Sequence, residues 1–170
     1  MKNILITGGA GFIGSTIALK LLEQDYSVTV LDSLTEQIHG INPEDSDLYN
    51  RIKGKVTFIR GSVTSREDLR NALSGQDAVI HLAAETGTGQ SMYEIYKYCN
   101  TNIMGTALLL DILANEQHSI KKVIVAESRA IYGEGTYNCL DCGIVYPNAR
   151  DKESMILGDF NVKCPNVVRM

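Results

Sequence analysis

No apolar run in this chain of 170 residues approaches the ~18 residues needed to cross a membrane, so a spanning helix is excluded. Basic tracts are missing as well. Lys and Arg total 16 against 20 Asp and Glu, a formal net charge of −4, which argues against a nucleic-acid surface. The opening run Met1-Lys2-Asn3-Ile4-Leu5-Ile6-Thr7 is too short in apolar residues for a signal peptide, and glycines follow it at once. The expected compartment is the cytoplasm, where the four cysteines are thiols or metal ligands rather than disulfides. Internal repeats and low-complexity segments are also lacking. The length suits one domain with a proper core.

What is present is organised around Thr7-Gly8-Gly9-Ala10-Gly11-Phe12-Ile13-Gly14. A short apolar strand, Lys2–Thr7, leads into it, and a helix from Phe12 to about Glu23 leaves it. Strand, glycine turn and helix in that order are a dinucleotide-binding signal. The glycines fit two patterns: Gly9, Gly11 and Gly14 as G-x-G-x-x-G, or Gly8, Gly11 and Gly14 as G-x-x-G-x-x-G. The leading Thr7-Gly8 favours the second. Glycine accepts the positive φ of a tight turn. A bare Gly11 lets a pyrophosphate approach the backbone, and Gly14 lets helix and strand pack closely. The free N–H groups of Phe12, Ile13 and Gly14 then face the phosphates with the positive end of the helix dipole.

A second strand, Ser27–Asp32, ends in an acid 18 positions beyond Gly14. A carboxylate there can accept hydrogen bonds from a ribose diol and would repel a 2′-phosphate, which favours NAD over NADP. Ser33 and Leu34 lie beside it. Residues 34–55 are polar and weakly periodic, as in a long loop with one short helix. A third strand is expected at Val56–Gly61, followed by a capping box, Thr64-Ser65-Arg66-Glu67, that starts a helix to about Leu73. The fourth strand, Asp77–Ala83, is almost unbroken in apolar residues, as in a strand covered on both faces. Leu82, Ala83 and Ala84 fall at its carboxyl end, where open parallel sheets bind ligands. A long helix is expected from Met92 to Asn115, its main apolar stripe Ile103, Ala107, Leu110 and Ala114. A fifth strand follows at Lys122–Glu127. Alternating strands and helices predict an α/β fold, a partial Rossmann domain with parallel strand order 3-2-1-4-5.

Several segments taken in order resemble the extended short-chain dehydrogenase/reductase family, which includes the NAD-dependent nucleotide-sugar epimerases and dehydratases. They are the Thr7-Gly8 turn, Asp77-Ala78-Val79-Ile80-His81-Leu82-Ala83-Ala84, Thr101-Asn102-Ile103-Met104-Gly105-Thr106 and Ser128-Arg129-Ala130-Ile131-Tyr132-Gly133. The resemblance implies that Ser128 is the active-site hydroxyl that hydrogen-bonds the sugar. It implies that Asn102 belongs to the cofactor half, and that Ser62 and Val63 line the adenine site. Ser62 stands where the family usually places an Asp. His81 lies inside the fourth strand and is expected to be packed rather than catalytic. The long helix is commonly a dimer interface in the family, so a homo-oligomer is expected, with a nucleotide sugar as the partner molecule.

The family also needs a Tyr-x-x-x-Lys on a helix after the serine. The tyrosine acts as base, and the lysine lowers its pKa. None follows Ser128. Tyr146 is followed four positions later by Arg150 and Tyr132 by Thr136. Tyr93-Glu94-Ile95-Tyr96-Lys97 has the spacing but precedes the fifth strand, so it is not assigned. After Tyr132 the chain is rich in Cys, Asn, Asp and Gly. Cys139-Leu140-Asp141-Cys142-Gly143 resembles a zinc knuckle, and Cys164-Pro165-Asn166 begins a second with Val167 where a fourth cysteine would stand. Cys139, Cys142 and Cys164 are thus candidate zinc ligands, with water, Asp141 or a partner chain completing the set.

A cysteine-bearing insertion after Ser-Arg-Ala-Ile-Tyr-Gly-Glu-Gly looks like the branch near the dTDP-L-rhamnose 4-epimerases. The expected division is an NAD-binding domain over 1–135 and a cysteine-containing insertion over 136–170. The chain looks like the amino-terminal part of a longer enzyme and is expected to be inactive alone. A non-enzymatic NAD-binding module, or a fragment of a dehydratase or reductase, are the other readings.

Overall fold

The computed structural model describes residues 1–167. The chain forms two compact units, one over Met1–Ala126 and one from Glu127 onward.

The first unit begins with β1 (Asn3–Thr7), α1 (Phe12–Leu22) and β2 (Ser27–Asp32). Two short helices, α2 (Glu36–His39) and α3 (Asp47–Asn50), flank a 3-10 turn at Pro43–Asp45. The stretch read as loop with one helix therefore holds three helical turns. They are too short to carry a periodic signal. Then come β3 (Thr57–Arg60), α4 (Arg66–Leu73) and β4 (Ala78–His81). The cap of α4 lies one residue later than expected. Ser65 Oγ accepts from the Asp68 N–H at 3.2 Å, while the Asp68 carboxylate turns back to accept from the Ser62 N–H at 2.8 Å. α5 (Thr88–Ser91), α6 (Ile95–Tyr98), a π-helical segment Cys99–Gly105, α7 (Thr106–Asn115) and β5 (Lys122–Val125) complete the unit.

The five strands are ordered β3-β2-β1-β4-β5, and every pair is parallel. This is the predicted α/β order. β1 sits at the centre and its side chains alternate between two cores. Ile4 and Ile6 join Val28, Val30, Ala18 and Ala78 on one face. Leu5 joins Leu31, Val79, Leu69, Leu109 and Ile112 on the other. Each of the Val, Leu and Ile side chains, fully buried, contributes about 1.5–3 kcal/mol relative to exposure. Coverage of both faces explains the unbroken apolar run of β4.

Two helix faces differ from expectation. In α1 the spacing of Ile13, Ile17 and Leu21 predicts one apolar face, but Ile13 is 61% exposed; Gly14, Ser15 and Ala18 make the buried face. The main stripe expected on the long helix is also turned outward, with Ile103 61% and Leu110 49% exposed. Gly105, Leu109 and Ile112 are buried instead. Ile103, Ala107, Leu110 and Ala114 do share one face, but it is exposed; the adjoining apolar face, with Leu109 and Ile112, fills the second core and is flanked by Leu108 and Leu113.

The second unit has a 3-10 turn at Arg129–Tyr132, a two-stranded antiparallel hairpin of β6 (Tyr137–Cys139) and β7 (Gly143–Val145), and a short α8 (Lys152–Ile156). Among its described residues only Val145 is buried.

Candidate functional site

The carboxyl ends of β1, β2 and β4 meet at the glycine turn. Gly8 has φ +68°, and a Cβ there would fall 2.7 Å from the Ala83 nitrogen, so the turn after β1 lies directly against the end of β4. Gly14 is packed on the turn rather than on the strand: a Cβ would lie 2.5 Å from the Gly8 oxygen. Gly11 is different. It is the N-cap of α1 with extended backbone, and a Cβ would meet nothing closer than the Gly8 oxygen at 3.4 Å. No side chain caps this helix and no acidic residue occupies its first turn. The unpaired N–H groups and the positive end of the dipole are therefore left for an anion. Phe12 and Ile13, 73% and 61% exposed, flank that opening.

Asp32 does two things. One carboxylate oxygen accepts from the Ala10 N–H at 2.9 Å, the other from the Leu34 N–H at 2.8 Å. The second bond closes a turn in which Leu34 takes φ +53°. Buried His39 stands 3.9 Å away through Nε2, its Nδ1 held 2.9 Å from Ser46 Oγ. Nothing in the spacing pointed to His39 or to the Ala10 bond, because both cross from one element to another. Ser33 is exposed beside this turn. Along the β3 end, the Ser62 hydroxyl is 2.8 Å from Thr64 Oγ1 and accepts from the Thr64 N–H at 3.2 Å. Val63 is buried in the second core, so it offers main chain rather than side chain to the surface.

A buried hydrogen-bonded chain ties the site together. Thr7 Oγ1 lies 2.7 Å from His81 Nδ1, and His81 Nε2 lies 3.0 Å from Thr106 Oγ1. Thr106 donates to the Asn102 carbonyl at 2.8 Å, and the Ala83 N–H donates to Thr7 Oγ1 at 3.3 Å. One polarity satisfies all of these. His81 is neutral with its proton on Nε2, and Nδ1 accepts from Thr7. Burial pushes the His81 pKa down, in agreement. His81 is thus packed, as expected.

Asn102 clamps the loop after β4. Its Oδ1 accepts from the Glu85 N–H at 2.8 Å and its Nδ2 donates to the Glu85 carbonyl at 3.1 Å. Gly105 leaves space for Val63, whose Cγ2 would be 2.7 Å from a Cβ there. The Asn-x-x-Gly-Thr run therefore fastens a helix to two strand ends. Leu82 and Ala83 are half-buried beside it, packed on the two cores, and Ala84 is exposed next to them.

Lys97 serves carboxylates, at 3.2 Å from Glu94 and 3.5 Å from Glu85, and these hold its pKa above the usual value, the Glu94 hydrogen bond foremost. Tyr93 is 85% exposed.

In the second unit Ser128 is exposed and caps the 3-10 turn, its Oγ accepting from the Ala130 N–H at 3.2 Å. Gly133 closes that turn with φ +63°. The three cysteines converge: the Sγ atoms of Cys139, Cys142 and Cys164 all lie within 4.8 Å of one another. The N–H groups of Asp141 and then Cys142 hydrogen-bond Cys139 and lower its pKa. Cys142 is pushed up to about 11, chiefly by its contact with Cys164 at 3.4 Å.

Residues 4–148 match the NAD dependent epimerase/dehydratase family. Among curated proteins, the dTDP-L-rhamnose 4-epimerase of Burkholderia thailandensis is 36% identical over 156 residues, covering 91% of this chain and 42% of that protein. Among solved structures, the UDP-glucose 4-epimerase of Thermotoga maritima with UDP-glucose superposes with a TM-score of 0.64 at 31% identity. It covers 79% of this chain and 41% of that one. The UDP-glucose 4-epimerase of Brucella ovis in complex with NAD gives 0.61 at 32% identity, over 78% and 38%. The chain spans about two fifths of the length of these relatives.

Proposed function

We propose, since this chain belongs to the NAD dependent epimerase/dehydratase family, that it supplies the NAD-binding half-site of a nucleotide-sugar 4-epimerase. The observation that carries the reading is the uncapped start of α1 above a turn that excludes side chains at Gly8 and Gly14 yet stays open at Gly11. That shape fits a pyrophosphate. Phe12, Ile13 and Gly14 would donate backbone N–H groups to it. Asp32 keeps lone pairs beyond its two backbone bonds and would accept from the adenosine ribose, with Ser33 and Leu34 beside it. Main chain at Ser62 and Val63 would border adenine, and Leu82, Ala83, Ala84 and Asn102 would border the nicotinamide side. Bound NAD would supply reversible hydride acceptance. Ser128 would hydrogen-bond the sugar hydroxyl.

These residues bind and orient; they do not include the base. No Tyr-x-x-x-Lys follows Ser128 in the 170 residues, and Lys97 is committed to Glu94 and Glu85. Turnover therefore requires residues beyond those of this chain. The same lack favours a second reading, a non-enzymatic NAD-binding module. A dehydratase origin is less favoured, because Ser128-Arg129-Ala130 has no acidic pair.

Calorimetric titration of NAD⁺ into the purified chain tests the first claim. Binding is expected, with no NADH formed on adding UDP- or dTDP-sugars. No heat of binding sinks the half-site. Sugar oxidation sinks the claim that a base is lacking. Adding a longer homologous polypeptide that carries the Tyr/Lys helix separates the two readings: activity gained only in the mixture supports the epimerase, and none supports the binding module.

A further inference from the structure

The second unit has three thiols and almost no core. Val145 is its one buried side chain among the described residues, while Leu140, Ile144 and Leu157 are 92%, 70% and 87% exposed. Units this small fold when a metal or disulfides replace the missing hydrophobic burial. The sulfurs lie where a metal would need them. Tetrahedral zinc with Zn–S bonds of about 2.3 Å sets its sulfurs about 3.8 Å apart. Here all three are within 4.8 Å, and Cys142 and Cys164 are 3.4 Å apart. A disulfide would join two sulfurs at about 2.05 Å and leave the third without use.

The local backbone is shaped for thiolates. Cys139 pairs with Gly143 across the hairpin, and Gly143 takes φ +75°, which brings Cys142 back beside Cys139. The N–H groups of Asp141 and Cys142 point at the Cys139 sulfur, and Asn166 Nδ2 is 4.0 Å from the Cys142 sulfur. Donors of this kind orient and stabilise metal-bound thiolates. Cys164 arrives from 22 positions further along the chain. The donor set is all sulfur, which selects zinc over magnesium or calcium.

We propose that Cys139, Cys142 and Cys164 bind one zinc ion as three thiolates, with the fourth position held by water. The ion fixes the β6–β7 hairpin to the Cys164 segment. Binding converts thiols to thiolates and so releases protons.

Cobalt(II) is the probe, titrated into the reduced full chain without oxygen. The expected result is thiolate-to-cobalt charge transfer with tetrahedral d–d bands, saturating at one equivalent, bleached by one equivalent of zinc(II), and accompanied by proton release. Replacing any of Cys139, Cys142 or Cys164 by Ser weakens cobalt at least about tenfold, and Cys99→Ser changes nothing. Val167→Cys completes a Cys-x-x-Cys with Cys164, so it tightens binding and strengthens the d–d bands. Absence of tetrahedral bands in the unaltered chain overturns the site. So does their survival in all three serine variants, or an unchanged spectrum with Val167→Cys. None of these readouts depends on NAD.

Discussion

The Asp32 carboxylate accepts a hydrogen bond from the Ala10 N–H at 2.9 Å, so the acid that ends β2 also fastens the glycine turn that follows β1. If Asp32 is the ribose ligand proposed above, its removal also disturbs the glycine turn that it holds. Asp32→Ala is expected to weaken NAD⁺ by at least about tenfold, or 1.4 kcal/mol. It should also lower stability by about 1–3 kcal/mol, because two part-buried N–H groups lose a charged acceptor. Calorimetry and urea denaturation read the two effects separately. Unchanged affinity would place the ribose elsewhere.

The glycines separate fold from ligand. Gly14→Ala puts a methyl 2.5 Å from the Gly8 carbonyl oxygen. The helix-propensity gain of about 1 kcal/mol is outweighed by overpacking of about 1–3 kcal/mol against backbone that has no rotamer to change. Gly8→Ala adds strain at φ +68° to a clash with Ala83. Both variants should lose stability and NAD⁺ together. Gly11→Ala meets nothing closer than 3.4 Å, so its stability should stay within about 0.5 kcal/mol of the parent while NAD⁺ affinity falls. Equal affinity in Gly11→Ala would show that no pyrophosphate crosses that residue.

Much of this was legible because it is local. β1, α1 and β2 follow from a switch between period-2 and period-3.6 patterns around glycines, and the strand order follows from alternation. What escaped depends on partners distant in sequence or on phase. Ala10 meets Asp32 across 22 positions, and Thr7 meets His81 across 74. The α4 cap was misplaced by one residue because Thr64 and Ser65 are both good caps, and only the fold decides that Asp68 turns to Ser62. Residues 106–115 are apolar on several faces, so periodicity alone could not pick the buried one.

That outward stripe has a consequence for assembly. Ile103 and Leu110 are exposed on a helix whose other face already fills the core, and Met104 is 58% exposed beside them. Apolar surface of this kind marks an interaction site. The chain is expected to self-associate in light scattering, and Ile103→Glu with Leu110→Glu should give a monomer whose stability changes by less than about 0.5 kcal/mol per site. If the double variant still self-associates, the interface lies elsewhere, with the exposed edge strand β5 and its Ile124 and Val125 the next candidate.

His81 sets a pH dependence whose sign follows from its surroundings. It is buried and neutral, donating to Thr106 and accepting from Thr7, and its pKa is below the ordinary 6.5. The unfolded chain therefore binds a proton at a pH where the folded chain does not. Stability rises with pH wherever the unfolded state holds more protons. The His81 contribution is thus fully present above about pH 6.5 and is lost as pH falls from there toward the folded pKa. Protonation would also place a donor on Nδ1, opposite a hydroxyl that already donates to it, and that would disturb the Thr7 contact to Ala83 at the mouth of the glycine turn. Urea midpoints measured from pH 8 to pH 5.5 should fall below pH 6.5 in the parent chain. In His81→Gln, which keeps a polar side chain without a titrating ring, the fall should be shallower. Parallel slopes in the two proteins would mean that other groups govern this range and that the Thr7–His81–Thr106 chain tolerates a charged imidazole.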